Sequence, residues 1–295
     1  MMPEGPECRA LSESLDMLVG GSRYSLTNVE LHSGRYTRTE PQNLCSVAGV
    51  FGTPAATLHS VQNKGKFIYF CFEQFTMWST LGLTGHWSPR LTDKNRRLSL
   101  LFRPVDHGST ANREQRLHFY DMRNFGTLKF SLSQDELETK LKSLGHDWLG
   151  SSRPTVEEWL ELAKKASKYR RPLAVFLMDQ KRTSGIGNYV LSEVLYLSKI
   201  HPFAYTCDVT EEGWRDLYTA IDDVLRESYQ SQSPLSQAQY KDQFEFRIYA
   251  QRQTPTGEVV KRQEGPHKRT LHWDPLSQTR FAPPPPPPPP PEEEA

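Results

Sequence analysis

The sequence predicts an α+β fold: a leading helix and an N-terminal β-sandwich, then a mostly helical region, and last a β-hairpin. Three observations predict it. One amphipathic helical stretch opens the chain, and short apolar runs separated by turn residues fill the rest of the first half. Beyond Gly150 the apolar period changes to that of helices.

Taken in order, Leu11, Leu15, Leu18 and Val19 share a helical face, and Gly20-Gly21 supplies a stop. Strands are expected over residues 26–31, 66–72, 75–81, 98–102, 117–120 and 127–130. Pro154-Thr155 followed by Glu158 has the pattern of a capping box, and Val156, Trp159, Leu160 and Ala163 continue it as an apolar stripe. Further helices are expected over 190–200 and 210–229, the second with Trp214, Leu217, Tyr218, Ile221, Val224 and Leu225 on one face. The β signal returns at Phe246-Arg247-Ile248-Tyr249 and over 269–273, which predicts a terminal hairpin. Residues 283–291 are nine consecutive prolines, for which polyproline II is expected, and Glu292, Glu293 and Glu294 follow. That tail is expected to be a disordered spacer or a ligand for a proline-binding module. The expected divisions are 3–150, 151–243, 244–281 and 282–295.

At 295 residues, 36% hydrophobic and 24% charged, the chain can bury one large core or two ordinary ones. No apolar run approaches the roughly 20 residues that cross a bilayer, and the N-terminus lacks a secretory layout. No membrane partner is expected, and the expected address is intracellular: the nucleus in a eukaryote, otherwise the cytoplasm. Cys8, Cys45, Cys71 and Cys207 form no C-x-x-C pair, so they are expected as reduced thiols filling space. The formal charge is +1, and it becomes +4 once the three tail glutamates are set aside. Lys164, Lys165, Lys168, Arg170, Arg171, Lys181 and Arg182 face only Asp179 in sequence. Such a cluster is either a solvated face or a surface for a polyanion.

The candidate chemistry begins at Pro3-Glu4. An N-terminal amine has a reference pKa of about 7.7–8.0, and a secondary amine attacking a sugar carbon yields an iminium ion directly. Glu4 beside it can donate and shuttle protons. Pro3 becomes nucleophilic only once Met1 and Met2 are removed, because an amide nitrogen is inert.

Four further segments stand out. They are Asn63-Lys64-Gly65-Lys66 before an apolar strand, Leu81-Gly82-Leu83-Thr84-Gly85-His86-Trp87, Asp121-Met122-Arg123-Asn124-Phe125-Gly126, and Leu177-Met178-Asp179-Gln180 through Ser184-Gly185-Ile186-Gly187-Asn188-Tyr189 with His201-Pro202 beyond. By themselves Leu83 and Phe125 read as core residues, and Lys66 as a solvated one. Glycines at 185 and 187 let backbone N–H groups converge at a helix start as an anion nest, to which Asn188 can add its amide.

Together with the start Met-Pro-Glu-Gly-Pro-Glu from Met2 to Glu7, these segments resemble the formamidopyrimidine-DNA glycosylase and endonuclease VIII family, and the Gly5 variant resembles its endonuclease VIII side. The resemblance runs from Pro3 to Gln278. It implies a catalytic β-sandwich over 3–150, a helix-two-turn-helix domain over 151–243 and a finger hairpin over 244–281. It also implies that Pro3, Glu4 and Lys66 are catalytic and that Gly187, Asn188 and Arg269 bind DNA. Leu83, Arg123 and Phe125 would fill the gap left by an extruded base. In the finger this chain departs from the commoner pattern, because Gln253, Thr256, Asp274 and Ser277 stand where four zinc-binding cysteines would. A zinc ion needs about four soft or imidazole ligands, so the resemblance implies a zincless finger, held by residues such as Val259, Leu271 and Trp273. Neither metal nor organic cofactor is expected.

The implied activity is base-excision repair: a DNA glycosylase and abasic-site lyase, acting by β,δ-elimination through a Schiff base on oxidised bases. The start of the chain and the short link at 231–243 favour oxidised pyrimidines. The expected partner is damaged double-stranded or bubble DNA, bound by a monomer. The competing expectation is a non-catalytic lesion-binding protein with a blocked N-terminus.

Overall fold

The computed structural model describes residues 3–92, 94–105, 113–234 and 244–284. The two methionines before Pro3, most of the proline run with its glutamates, and residues 235–243 of the short link lie outside the described residues.

The leading helix α1 spans Gly5–Val19 and stops at Gly20. Eight strands follow: β1 (Tyr24–Leu31), β2 (Thr57–Lys64), β3 (Phe67–Phe72), β4 (Thr76–Thr80), β5 (Gly85–Ser88), β6 (Arg96–Pro104), β7 (Gln115–Asp121) and β8 (Thr127–Ser131). A short helix α2 (Leu44–Ala48) lies between β1 and β2 in sequence. Hydrogen bonding joins the strands into one sheet of order β5-β7-β6-β1-β2-β3-β4-β8. The sheet folds over on itself. Trp87 of β5 packs on Phe70 of β3, centroids 5.6 Å apart, and its indole N–H donates to Ser79 Oγ of β4 at 3.1 Å. Elements from distant places in the strand order therefore face one another as the two layers of a sandwich.

Between the layers lies a core that includes Leu26, Leu58, Phe72, Phe102, Phe119 and Phe130, to which α1 contributes Leu15 and Val19. β3 is buried on both faces because its outer residues Phe67 and Tyr69 pack with Leu137 of α3 (Gln134–Lys142). Two strands of this sheet were not foreseen. β2 (TLHSVQNK) carries apolar residues only at Leu58 and Val61. β5 (Gly85–Ser88) begins within the segment 81–87 and has too few residues to show an alternating period.

The remaining elements are β9 (His146–Asp147), α4 (Val156–Ala166), α5 (Leu173–Met178), β10 (Thr183–Ser184), α6 (Asn188–Leu197), α7 (Glu211–Gln230), β11 (Lys261–Glu264) and β12 (Thr270–Trp273). By compactness the chain forms two units. One comprises residues 1–154, 179–190 and 222–245, and the other 155–178, 191–221 and 246–295.

In the second unit α4 starts at the expected capping box: Thr155 Oγ1 accepts from Glu158 N–H, and the Glu158 carboxylate accepts from Thr155 N–H. Trp214 packs edge to face against both Trp159 of α4 and Phe176, with Trp159 Nε1–H donating to the Trp214 carbonyl at 2.8 Å. α5 was not foreseen, since six residues are too few to show a helical period.

The hairpin forms, but not from the expected partner. β12 pairs with β11, whose four residues Lys261–Glu264 are all exposed and carry no apolar signal. Phe246-Arg247-Ile248-Tyr249 is not a strand. The backbone N–H groups of Arg247, Ile248 and Tyr249 all donate to the carboxylate of Glu193, at 3.1, 2.9 and 2.9 Å, and are thereby taken from any sheet. Leu271 and Trp273 are buried as expected, whereas Val259 is 72% exposed. Its neighbour Val260 packs with Ile248 and Tyr196 instead, because adjacent residues of extended chain point to opposite sides. Of the cysteines, Cys8 is buried and Cys71 half-buried, but Cys45 and Cys207 are exposed and fill no space.

Glu193 is fully buried, so Glu193→Ala leaves three N–H donors without an acceptor. The expected cost is about 2–4 kcal/mol, read as a lower urea midpoint with unchanged slope, and Glu193→Gln should recover part of it.

Candidate active site

Glu4 is the N-cap of α1 and has extended backbone. Its N–H donates to Glu7 Oε2 at 2.8 Å, half of a capping box. Its side chain goes elsewhere: Oε1 accepts from Tyr189 N–H at 3.0 Å and Oε2 from Val190 N–H at 3.3 Å, in the first turn of α6. A helix start carries free N–H donors and positive potential, so it holds an anion. The sequence reading left that nest for a DNA phosphate. In the structure the anion it holds is the chain's own carboxylate.

Three glycines make this approach possible. Gly5 N–H donates to the Gly185 carbonyl at 2.9 Å, and a Cβ on Gly5 would sit 3.1 Å from Gly185 Cα. A Cβ on Gly65, in the turn between β2 and β3, would sit 2.5 Å from Gly185 N, and both Gly65 (φ +55°) and Gly185 (φ +103°) have left-handed backbone. The chain start, the turn carrying Lys66 and the turn before α6 thus meet backbone to backbone. Gln180 clamps the last of these, accepting from Gly185 N–H at 3.0 Å and donating to the Ile186 carbonyl at 2.9 Å. Gly187 serves a different purpose: a Cβ there would lie 2.2 Å from the Glu4 carboxyl carbon.

A second layer of contacts holds Glu7. Its Oε1 accepts from the Tyr189 hydroxyl at 3.0 Å and from Gln232 Nε2 at 3.0 Å, and the same hydroxyl lies 3.0 Å from Ser228 Oγ. Nothing in the sequence pattern signalled Gly5, Gly65, Gln180 or Tyr189 as parts of this arrangement.

Opposing forces set the charge of Glu4. Burial raises its pKa most, while Lys66 and the Tyr189 and Val190 N–H groups lower it, and the result is about 7 against an ordinary 4.5. A carboxyl so poised can give or take a proton near neutrality. Pro3, half-buried, directly precedes it, and half-buried Lys66 is close enough to act on its charge. Asn188 opens α6 and is buried. Pro3, Glu4, Lys66, Gly187 and Asn188 thus belong to one neighbourhood of the first unit.

Leu83, Arg123 and Phe125 form a second group in that unit. Phe125 is 57% exposed, Arg123 is exposed and Leu83 is half-buried, so neither Phe125 nor Leu83 is the core residue its type suggests. Their loops are tied together. Thr84 Oγ1 accepts from Arg123 N–H at 2.9 Å and donates to Asp121 Oδ1, while Asp121 Oδ2 accepts from Gly126 N–H at 2.6 Å. The ideal Cβ of Gly82 (φ +62°) would lie 2.8 Å from Gly126 N, which shows how close the loops run.

Arg269 belongs to the second unit. It is exposed in the β11–β12 turn, where Gly265 N–H donates to its carbonyl at 2.8 Å. Elsewhere in the finger, the hydroxyls of Thr254 and Thr256 bond at 2.9 Å, and Thr254 pairs with Glu258 through both backbone and hydroxyl. Asp274 Oδ1 accepts from Leu276 N–H, and Asp274 N–H donates to buried Gln278. Side-chain hydrogen bonds thus close the turns around Thr256, Asp274 and Ser277, and Gln253 forms a bridge with Val259. No group of three or more His, Cys, Asp or Glu that could hold a metal occurs among the described residues. Nor is any described helix long and apolar enough to cross a membrane. Of the basic cluster, Lys164, Lys165, Lys168 and Arg170 are exposed on the second unit, while Lys181 and Arg182 are exposed on the first.

A sandwich preceded by a capped helix, with an acid lodged on a later helix start, describes a family architecture. Residues 2–128 match the formamidopyrimidine-DNA glycosylase N-terminal domain, and residues 151–239 match the formamidopyrimidine-DNA glycosylase H2TH domain. A formamidopyrimidine-DNA glycosylase of Exiguobacterium sibiricum is 26% identical over 232 residues, 78% of this chain and 79% of the relative. Among solved structures, the corresponding protein of Thermus thermophilus superposes with a TM-score of 0.71 at 25% identity, covering 94% of this chain and 98% of the other. The Lactococcus lactis glycosylase, non-covalently bound to DNA containing an AP site, does so with a TM-score of 0.73 at 20% identity, covering 94% and 99%. The chain belongs to the formamidopyrimidine-DNA glycosylase and endonuclease VIII family of DNA-repair glycosylases.

Gly187→Ala tests the seat of Glu4, because the new methyl must displace the carboxylate. The Glu4 carboxyl ¹³C resonance, titrating at about 7 in the parent, should move toward 4.5 in the variant as the side chain returns to water.

Proposed function

We propose that this chain is a bifunctional base-excision enzyme, a DNA glycosylase and abasic-site lyase of endonuclease VIII type acting on oxidised bases, with oxidised pyrimidines preferred. The observation that carries the proposal is Glu4, a buried carboxyl with a pKa of about 7 next to Pro3 and within the field of Lys66.

The Pro3 nitrogen, freed of the preceding methionines, attacks C1′ of the damaged nucleotide, and the C1′–base bond breaks as the base leaves with the proton that the nitrogen gives up. Glu4 protonates O4′ as the C1′–O4′ bond opens, and the nitrogen lone pair closes to an iminium ion. Loss of a C2′ proton expels the 3′-phosphate by β-elimination, and a second elimination expels the 5′-phosphate. Lys66 acts as a cation toward the phosphate beside the lesion and disfavours an uncharged Glu4 between turnovers. Gly187 contributes by leaving room for Glu4, Asn188 offers its amide to the DNA backbone, and Arg269 grips the phosphates that flank the everted nucleotide.

Leu83, Arg123 and Phe125 occupy the space in the duplex. Stacking exposed apolar groups into the vacated step offsets an unstacking cost of a few kcal/mol. The zincless finger and the absence of any cofactor are part of the same reading, as are a monomeric state, an intracellular address and DNA as the partner. A second reading, a lesion-binding protein without chemistry, follows if Met2 stays attached to Pro3.

Borohydride reduction of the native protein mixed with abasic-site DNA separates the two. A covalent adduct whose peptide map ends at Pro3 supports the enzyme, and no adduct with an intact Met2–Pro3 bond supports the binder. The pH profile of kcat/KM should be bell-shaped. Pro3 must be deprotonated, above about 7.7–8.0, and Glu4 protonated, below about 7, so the working population peaks in between. Glu4→Gln should lower the rate about 10²-fold or more and abolish the alkaline limb.

Phe125→Ala separates extrusion from chemistry. It should lower kcat/KM on a damaged duplex about tenfold or more and have little effect on the same lesion in a bubble, where the flanking bases are already unstacked.

A further inference from the structure

Within the second unit a groove of about 460 Å³ is lined by Phe203, Tyr205, Trp273, Pro172, Pro266 and Lys261. The proposed chemistry uses none of them. Its walls also include Pro283 and Pro284, the first two residues of the nine-proline run, so the described chain already enters the groove with that run.

Three properties suit a polyproline helix. First, the walls are aromatic: Trp273 stands edge to face against His201, centroids 4.9 Å apart, and Tyr205 and Phe203 add two more rings. Flat apolar rings separated by polar tips are how proline ridges are held, and the stiff polyproline helix loses little entropy on docking. Second, the indole Nε1–H of Trp273 is buried with no acceptor among the described residues. A polyproline run has carbonyl oxygens and no N–H, so its backbone offers acceptors that find no donor within the helix. Third, cations ride on the rings. Lys261 Nζ lies 5.3 Å from the Trp273 centroid, and the Arg170 guanidinium carbon 4.1 Å from that of Tyr205. The run ends in Glu292, Glu293 and Glu294, of the opposite sign.

The geometry points to this groove as the docking site of the chain's own proline tail, which packs in cis as a polyproline II helix against Trp273 and Tyr205. The tail is then a strap across the base of the finger hairpin, to which Trp273 and Lys261 belong, and not a free spacer. Short tethering sets an effective concentration of about 1 mM, so an untethered affinity of only about 0.1 mM leaves the tail docked roughly ten times in eleven.

The test uses the full chain labelled with 5-fluorotryptophan. It has six tryptophans, and the Trp273 ¹⁹F signal is assigned by its loss in Trp273→Phe. In a second full-length protein, residues 285–291 are replaced by alternating Gly and Ser, with Pro283 and Pro284 kept. The Trp273 signal should shift in this protein, the other five should stay in place, and a synthetic peptide of seven prolines and three glutamates should return it to the parent position, half-saturating near 0.1–1 mM. An unchanged Trp273 signal, or no response to the peptide at 5 mM, overturns the proposal. So does a parent signal that moves on dilution, which assigns the groove to the tail of a second copy.

Discussion

Everything at the candidate active site depends on one close approach: the turn at Gly185 touching Gly5 on one side and Gly65 on the other. Any side chain at these positions would hold the segments apart by at least the width of a methyl group. With none, the chain start hydrogen-bonds to the turn before α6 and the Lys66 turn comes into close backbone contact with it, although these segments are about 60 and 120 residues apart in sequence. Chemistry that needs an imino nitrogen, an acid and a cation in one place can be assembled from three remote pieces of chain only if the pieces can touch.

The same approach tunes the acid. Burial by itself would keep Glu4 protonated, and the α6 N–H groups with Lys66 by themselves would keep it ionised. A value of about 7 is the balance, so the group changes charge readily in either direction. Seating the carboxylate on the helix start has a further effect, since α6 begins with an occupied anion site. On the proposed reading, phosphate recognition then falls to side chains such as those of Asn188 and Arg269, since the Tyr189 and Val190 amides are taken.

The elements with a strong period were legible in the sequence. α1, the capped α4, the long α7 and most sandwich strands carry apolar residues at helical or alternating spacing. What escaped notice was built from tertiary context. β2 and β11 are polar strands that pair because their neighbours do. Residues 246–249 look like a strand, yet Glu193 takes their N–H groups. Val259 and Val260 are equivalent as letters and opposite in burial. At the site, the segments around Pro3, Lys66, Arg123 and Gly187 were recognisable as motifs. The partners of each, including the capture of Glu4 by Tyr189 and Val190, depend on contacts across the fold that no local window contains.

The finger turns are closed by the hydroxyls of Thr254 and Thr256 and by the Asp274 carboxylate with Gln278. Hydroxyl and carboxylate oxygens do not react with peroxide, whereas a thiolate climbs the oxidation ladder to sulfenic and sulfinic acids. A hairpin fastened this way offers peroxide no thiolate at Gln253, Thr256, Asp274 or Ser277, and on the proposed zincless reading its turns close without a metal.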